Sequence, residues 1–270
     1  MSFLSFGDRI ISNIVERRVF LTFSDWIYSR YPADSAINGR WGILHISVVI
    51  FCVLAILAVS FLRKKDIKTK RTVVFILAGL IFLFEISRRI INLSRGEITT
   101  LNQFLVIMLP RPFCAISCWM VMLSPILNKR SFYNLASACA LLNAVVFFAY
   151  PAVGFNDKYI LFENVYSITT HALLLISSVS LITLRFAKFY FPPKNEIIGL
   201  VLIYLYGFAE IFLLKIEADP LYFMEGGDVQ DFLGVGYSAY LVIYVGFLIF
   251  YFSAFYLTEF LCKNSKSLKN

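Results

Sequence analysis

Two side chains of the sequence, Cys114 and His171, have the chemistry of a nucleophile and a base. Each lies about ten residues inside an apolar stretch, so the two are expected at a similar depth. A thiolate is the reactive form of cysteine, and an imidazole that takes its proton would generate it. The structural alternatives are a histidine hydrogen-bonded across a helix interface and a thiol that packs as a small hydrophobe. The residue types alone leave both interpretations open.

The residues around Cys114 add to its chemical interest. Arg111 precedes it by three positions and Cys118 follows it by four, a spacing that puts the three side chains on one helical face. Pro110 and Pro112 each lack an N–H donor and loosen a helix at this point. A nearby cation would stabilise a thiolate electrostatically.

A second candidate site is a layer of charged residues inside apolar stretches. Its members are Glu85, Arg88, Arg89, Arg111 and Glu210. Glu85 and Glu210 each lie about fourteen residues from the cytoplasmic end of their stretch, and Arg111 about seven from the outer end, so these three share one depth. Charges in lipid are costly and usually face the interior of a bundle. Such a layer either locks helices together or binds a head group, substrate or ion.

The elements that position these residues are apolar stretches long enough to cross a bilayer. Crossing a core about 30 Å thick takes roughly 20 residues at a rise of about 1.5 Å each. The seven stretches lie near residues 42–62, 72–93, 104–127, 133–151, 160–184, 196–216 and 235–261. With 59% hydrophobic and only 16% charged residues, the chain is too apolar for a soluble globule. The sequence predicts an all-α, polytopic bundle of seven transmembrane helices.

The orientation follows from the distribution of Lys and Arg. Segments on one side of the seven stretches hold 14 of them and segments on the other side hold eight. Since cytoplasmic loops are enriched in these residues, the N-terminus is predicted outside and the C-terminus in the cytoplasm of a multi-pass cell-membrane protein. The net charge of +8 is attributed to this topology, so no nucleic-acid partner is expected.

Three regions are predicted: an extracytoplasmic segment 1–41, the transmembrane domain 42–262 and a basic cytoplasmic tail 263–270. In the first, four apolar residues share one helical face and predict either a helix lying in the membrane interface or an irregular tail; they are Ile10, Ile11, Ile14 and Val15. Neither a metal centre nor a cofactor is expected, because the five Cys and two His lack metal-ligand spacing and there is no glycine-rich phosphate loop. The stretch 235–261 has no Lys, which excludes a retinal Schiff base there.

The order of several short motifs supports a family resemblance. They are Leu109-Pro110-Arg111-Pro112-Phe113-Cys114, Tyr150-Pro151, His171 followed by Ala172-Leu173-Leu174-Leu175, and Asp219-Pro220. In this order, and with 57 residues from Cys114 to His171, the chain resembles the bacterial YwaF-like integral membrane proteins and their animal relative, transmembrane protein 164. The resemblance covers roughly residues 105–255. Bacterial members typically read LPLHLC at the first motif, so Arg111 and Pro112 depart from it.

The resemblance implies a phospholipid acyltransferase of the transmembrane protein 164 kind, with Cys114 as the nucleophile and His171 as the general base and acid. Membrane phospholipids are then both environment and substrate, and Arg111 with Arg88 or Arg89 would hold a phosphate head group. The competing hypothesis is a non-enzymatic membrane protein, a transporter, channel or scaffold built on the charged layer.

Overall fold

The computed structural model describes residues 26–27, 42–95, 98, 100–111, 113–149, 155, 161–188, 194–214, 230 and 233–267. Of the predicted N-terminal segment 1–41, all but residues 26 and 27 lies outside this range, including the candidate interfacial helix. Tyr150-Pro151 and Asp219-Pro220 lie outside it as well. The last three residues of the predicted basic tail do so too.

The described part of the chain is all-helical and contains no strand. Its eight α-helices are α1 (Ile43–Ser60), α2 (Ile67–Ser94), α3 (Leu101–Met108), α4 (Phe113–Leu127), α5 (Arg130–Ala149), α6 (Phe162–Thr183), α7 (Lys194–Leu214) and α8 (Tyr237–Ser267). A 3₁₀ turn, Phe61–Lys64, continues α1. Each predicted stretch coincides with a helix, except that the third contains both α3 and α4.

Several of these helices can cross a membrane. Among the described residues five are long and apolar enough: α1 with its 3₁₀ extension, α5, α6, α7 and α8. The pair α3 and α4, bent by 64° at the break between them, would make a sixth. The 28-residue α2 is long enough to cross, but it carries Glu85, Arg88 and Arg89 in its second half. The chain is therefore a multi-pass membrane protein.

The centre of the bundle is α6, which packs against α1, α2, α4 and α5. The interface of α5 with its neighbours is rich in small side chains, and Ala136, Ala138 and Ala140 are completely buried. Small residues let helix backbones approach closely, which is how helices associate in lipid. By contrast, α1, α7 and α8 expose many large apolar side chains, as expected of surfaces that face acyl chains.

Polar contacts connect the outer helix α8 to α5 and to α7. Tyr251 on α8 donates a hydrogen bond of 2.8 Å to the carbonyl of Ala138 on α5. The hydroxyls of Tyr204 on α7 and Tyr244 on α8 are 2.7 Å apart. These bonds satisfy polar atoms that lipid could not satisfy.

Candidate functional site

Cys114 lies in the first turn of α4, directly after a break in the chain. The helix α3 begins at a capping box between Thr100 and Gln103 and ends at Met108. Pro110 and Pro112 follow, and neither can donate a backbone hydrogen bond. The next helix therefore starts anew at Phe113, and the thiol of Cys114 lies near its own backbone N–H and that of Ala115. The N–H groups of a first helical turn have no partners within the helix.

Glu85 on α2 is the centre of a buried polar network. Its carboxylate is completely buried and pairs with the guanidinium of Arg89, one turn further along α2. Tyr166 on α6 donates its hydroxyl to the other carboxylate oxygen. The thiol of Cys118 on α4 also interacts with Glu85. Three helices thus meet at one carboxylate.

Arg89 has further partners that fix its guanidinium. Its Nε donates to the carbonyl oxygen of Met108 at 3.1 Å, and its Nη1 to the carbonyl oxygen of Glu85 at 3.0 Å. Its Cζ lies 5.3 Å from the centre of the Trp119 ring. The buried guanidinium of Arg89 is thus paired on several sides, and these contacts connect the end of α3 to α2 and α4.

Arg88 lies on the neighbouring face of α2 and links the network to Cys114. Its Cζ is 4.9 Å from the centre of the Tyr166 ring, a cation–π geometry. Its Nε is 3.9 Å from a carboxylate oxygen of Glu163 on α6. Arg88 also interacts electrostatically with Cys114, and Glu85 does so with the opposite sign. The Cys114 thiol thus interacts electrostatically with two of the three members of the charged layer that α2 provides.

Arg111 and Glu210 form the other half of the layer. Arg111 donates through Nη2 to the carbonyl of Val106 at 3.3 Å. Glu210 on α7 accepts a 2.6 Å hydrogen bond from Tyr206 through Oε1. In the described part of the chain, Oε2 of Glu210 has no hydrogen-bond partner. The two residues interact electrostatically without forming a close ion pair.

A cavity of about 900 Å³ opens beside these residues, between the second half of α2 and the helix α3. Its wall includes four arginines, Arg88, Arg89, Arg95 and Arg111. Val106, Ile107 and Leu109 form an apolar part of the wall. A space lined by both cations and aliphatic groups has the chemistry to bind an amphiphile with a negative head.

His171 on α6 lies half-buried against α5. Its ring stacks on Phe147, with centres 3.9 Å apart and planes inclined by 8°. Its Nδ1 is 2.7 Å from the carbonyl oxygen of Ser167. Because a carbonyl can only accept, Nδ1 carries the proton and Nε2 has the free lone pair. His171 is therefore held in the tautomer that a general base requires.

The structure brings together six of the seven residues that the sequence singled out. Cys114 interacts electrostatically with Arg88 and Glu85, and Arg111 does so with Glu210. His171 has other neighbours, and among the described residues no hydrogen bond joins its ring to the Cys114 thiol. Its helix does pack against α4, the helix of Cys114.

Three contributing residues were missed by the sequence analysis: Tyr166, Glu163 and Arg95. Arg95 donates to Glu163 at 3.0 Å, so a carboxylate on α6 is shared by Arg88 of α2 and by Arg95, the residue directly after the end of α2. The available signal was the spacing on α6. Glu163 and Tyr166 are one turn apart, and a polar pair on one face of an otherwise apolar helix indicates a partner on a neighbouring helix.

Comparison with known proteins places the chain in a family. A model of the TMEM164 family matches residues 38–256, which is most of the sequence. The chain belongs to the TMEM164 family. The matched range begins before α1 and ends within α8, and it includes all seven predicted site residues. No curated protein and no solved structure matches the chain.

Membership of the TMEM164 family confirms the resemblance to transmembrane protein 164 drawn from the motifs around Cys114 and His171. It agrees with the helical structure in indicating a multi-pass membrane protein.

Proposed function

We propose that this TMEM164 family member is a membrane-embedded phospholipid acyltransferase that works through an acyl-thioester on Cys114. The observation that carries the proposal is the position of Cys114, in the first turn of α4 and beside Arg88, which lines a cavity rich in arginines. A head group bound there through its phosphate would hold the ester carbonyls of the same lipid close to the thiol. His171 is the proposed base and acid.

In the first half-reaction the Cys114 thiolate attacks an ester carbonyl of the bound phospholipid. The thiol proton goes to Nε2 of His171, a C–S bond forms and the carbonyl becomes an oxyanion. The C–O bond to the glycerol then breaks, and the leaving alkoxide takes the proton from His171. The products are a lysophospholipid and an acyl-thioester on Cys114.

In the second half-reaction a lysolipid hydroxyl attacks the thioester. His171 takes the hydroxyl proton, the new C–O bond forms and the C–S bond breaks. The departing thiolate recovers the proton from His171, which restores the enzyme. Water in place of the lysolipid would give hydrolysis by the same steps.

Two features of the site support this chemistry. The N–H groups of Cys114 and Ala115 belong to a helix N-terminus and are available to hydrogen-bond an oxyanion. Arg88 provides a positive charge next to the thiol. Proton transfer to His171 requires a bridging water or substrate hydroxyl, or a rotation of the Cys114 side chain. Such bonds often tighten only when substrate is bound.

We infer a topology of seven crossings in the cell membrane, with the N-terminus outside and the C-terminus in the cytoplasm. The helices at all seven predicted stretches and the excess of Lys and Arg on one side support it. Labelling of single cysteines by a membrane-impermeant maleimide on intact cells tests this topology. Lys158→Cys should react, whereas Lys129→Cys should react only after permeabilisation; the reverse pattern would invert the orientation.

The acyl-transfer proposal is tested by intact-mass spectrometry of the detergent-purified protein after incubation with phospholipid. Wild type should gain a fatty-acyl mass that hydroxylamine removes, and Cys114→Ser should not. Cys52→Ser is the matched control, since Cys52 is a buried thiol on α1 away from the cavity. Unmodified wild-type mass across several lipid classes, from protein that is shown to be folded, would refute the proposal.

One observation favours a second candidate function, an ion or proton path through the charged layer. Glu210 is 3% exposed, one of its carboxylate oxygens lacks a hydrogen-bond partner in the described part of the chain, and it faces Arg111. Buried carboxylates of this kind relay protons in transporters. Glu210→Gln should abolish proton coupling in that case, whereas Cys114→Ser should leave it intact.

A further inference from the structure

Counted over the residues that the structure describes, the charges around the cavity do not balance. Four guanidinium groups line it, those of Arg88, Arg89, Arg95 and Arg111. Among the described residues, three carboxylates face them. Glu85 pairs with Arg89, Glu163 is shared between two arginines, and Glu210 interacts with Arg111. Four positive charges therefore meet three negative ones, and the surplus of one equals the charge of a phosphodiester.

Three of the arginines also keep unused hydrogen-bonding capacity. In the described part of the chain, the Nε–H groups of Arg88, Arg95 and Arg111 are buried and have no hydrogen-bond partner. The 3.9 Å from Arg88 Nε to Glu163 is too long for a hydrogen bond. Guanidinium groups bind phosphate oxygens through two parallel N–H donors, one of which is often Nε–H. These Nε atoms are buried as the side chains stand, so a phosphate in the cavity would gain them as donors through a rotation of the guanidinium groups.

The described part of the wall has no group that would stabilise the positive charge of a zwitterionic head group. Among the described lining residues there is neither a carboxylate nor an aromatic ring, the groups that bind ammonium ions. The remaining polar lining comes from the amides of Asn92, Asn102 and Gln103 and the hydroxyl of Ser94. Each of these groups already has a partner within the protein, such as Arg95 for Asn92, but amides and hydroxyls have several donors and acceptors and can bind the hydroxyl groups of a polyol as well.

We propose that this cavity selects an anionic glycerophospholipid whose head group is uncharged and hydroxylated, of the phosphatidylglycerol class, over zwitterionic lipids. Arg88, Arg95 and Arg111 bind the phosphodiester. The amides bind the head-group hydroxyls, and Val106, Ile107 and Leu109 contact the start of the acyl chains. This lipid class would be the substrate class of the proposed acyltransferase, so the inference rests on that function for its biological meaning. The binding itself can be measured without turnover.

The test compares head groups at constant chain length. Detergent-purified full-length protein carrying Cys114→Ser, which blocks turnover, is titrated by calorimetry with dioctanoyl phosphatidylglycerol and dioctanoyl phosphatidylcholine. We expect at least about tenfold tighter binding of the glycerol lipid, and a loss of this preference at high ionic strength. Equal affinities would overturn the proposal.

A third arm separates a lipid head group from free phosphate. Inorganic phosphate and glycerophosphoglycerol, which has the head group but no acyl chains, are titrated under the same conditions. Both should bind more weakly than the dioctanoyl lipid because they lack contacts with the apolar wall. If inorganic phosphate binds as tightly as the lipid, the cavity is a phosphate site and the lipid proposal is wrong.

The matched variants are Arg95→Gln in the cavity and Arg63→Gln in the exposed turn after α1. Arg95→Gln should weaken the binding of the glycerol lipid about tenfold and that of the choline lipid less, because both lose a phosphate contact but only the anionic lipid loses the benefit of the surplus positive charge. Arg63→Gln should change neither affinity. If Arg95→Gln does not fold, Arg95→Lys, which keeps the charge and loses the forked donor, should give an intermediate affinity. Equal effects of Arg95→Gln and Arg63→Gln would contradict the site.

The two proposals fail in different ways. Head-group selectivity without any acyl mass on wild-type Cys114 would leave a lipid-binding protein and refute the acyltransferase. Acylation of Cys114 from both lipid classes at equal affinity would support the enzyme and refute the selectivity.

Discussion

Tyr166 donates its hydroxyl to Glu85 across the contact between α6 and α2. The same ring lies beneath Arg88, with 4.9 Å from its centre to the guanidinium carbon. One side chain therefore satisfies a buried carboxylate with its tip and stacks against a cation with its face. Tyr166 fixes Arg88 next to Cys114, and it connects the helix of the proposed base to the charged layer.

Tyr166→Phe should destabilise the protein by about 2 kcal/mol, because a hydrogen bond to a buried charged group is lost while the ring remains. Thermal unfolding in detergent measures the change. Tyr204→Phe is the control, since its hydroxyl bonds to the neutral hydroxyl of Tyr244 and should cost about 1 kcal/mol or less. An equal loss in both variants would show that Glu85 does not depend on Tyr166.

The contact between α5 and α6 is reinforced by a reciprocal serine pair. The Ser178 hydroxyl donates to the carbonyl of Ser137 at 2.7 Å, and the Ser137 hydroxyl donates to the carbonyl of Ser178 at 3.0 Å. Each hydroxyl bonds to a backbone carbonyl that the other substitution leaves in place, so Ser137→Ala and Ser178→Ala should each cost about 1 kcal/mol. A double-mutant cycle measured by reversible unfolding should give a smaller coupling energy, roughly 0.5 kcal/mol, from the 3.2 Å contact between the two hydroxyls.

The control for this cycle is Ser177→Ala. Ser177 lies on the same helix and is buried, but its hydroxyl has no hydrogen-bond partner in the described part of the chain. Its removal should be neutral or slightly stabilising, because an unsatisfied polar group is lost. A cost for Ser177→Ala as large as that for Ser178→Ala would indicate packing effects rather than hydrogen bonding.

Local rules predicted much of this structure. The helix bounds follow from apolar length, as shown by the predicted stretch 160–184 and the observed helix Phe162–Thr183. The pair of Glu85 with Arg89 follows from a spacing of four residues on one helix. Pro110 and Pro112 predicted a loosened helix. The structure goes further, with two helices bent by 64° that put Cys114 in a first turn rather than mid-span.

Other contacts depend on how the helices are rotated against one another, which a single sequence does not determine. Arg88 lies three residues after Glu85, but its side chain turns towards Tyr166 and Glu163 on α6. The equal depths of Cys114 and His171 likewise did not determine whether the two side chains point towards each other. His171 packs on Phe147 of α5 instead. The depth of a residue fixes its height in the bundle but not the direction in which its side chain points.

Asp66 gives a pH dependence outside the membrane-spanning segments. It caps α2 by accepting from the Thr69 hydroxyl at 2.6 Å and from the Thr69 N–H at 2.9 Å. These bonds hold the pKa of Asp66 below its usual value, the side-chain bond most strongly. Its contribution to stability is therefore fully present above the unfolded-state pKa and is lost as the pH falls through the lower, folded-state pKa.

Asp66→Asn should remove this dependence, because asparagine also caps helices but does not titrate. Unfolding midpoints of wild type and Asp66→Asn, measured from neutral pH down to about pH 3, should converge at the acid end. Asp66→Ala should be less stable than wild type at neutral pH. A constant difference between wild type and Asp66→Asn at every pH would contradict the assignment.

The role of His171 predicts different effects for two neighbouring substitutions. His171→Ala removes the base, so the rate of acyl-thioester formation on Cys114 should fall by about 100-fold or more. Phe147→Leu keeps the imidazole but removes the ring on which it stacks, so the rate should fall by about tenfold, with the same final extent of acylation. Time-resolved intact-mass spectrometry measures both rates.

A basic pH that raises the thiolate fraction should partly rescue His171→Ala and not Phe147→Leu, since only the first lacks a proton acceptor. Unchanged acylation in His171→Ala would assign the imidazole to helix packing and leave Cys114 to act with Arg88 alone.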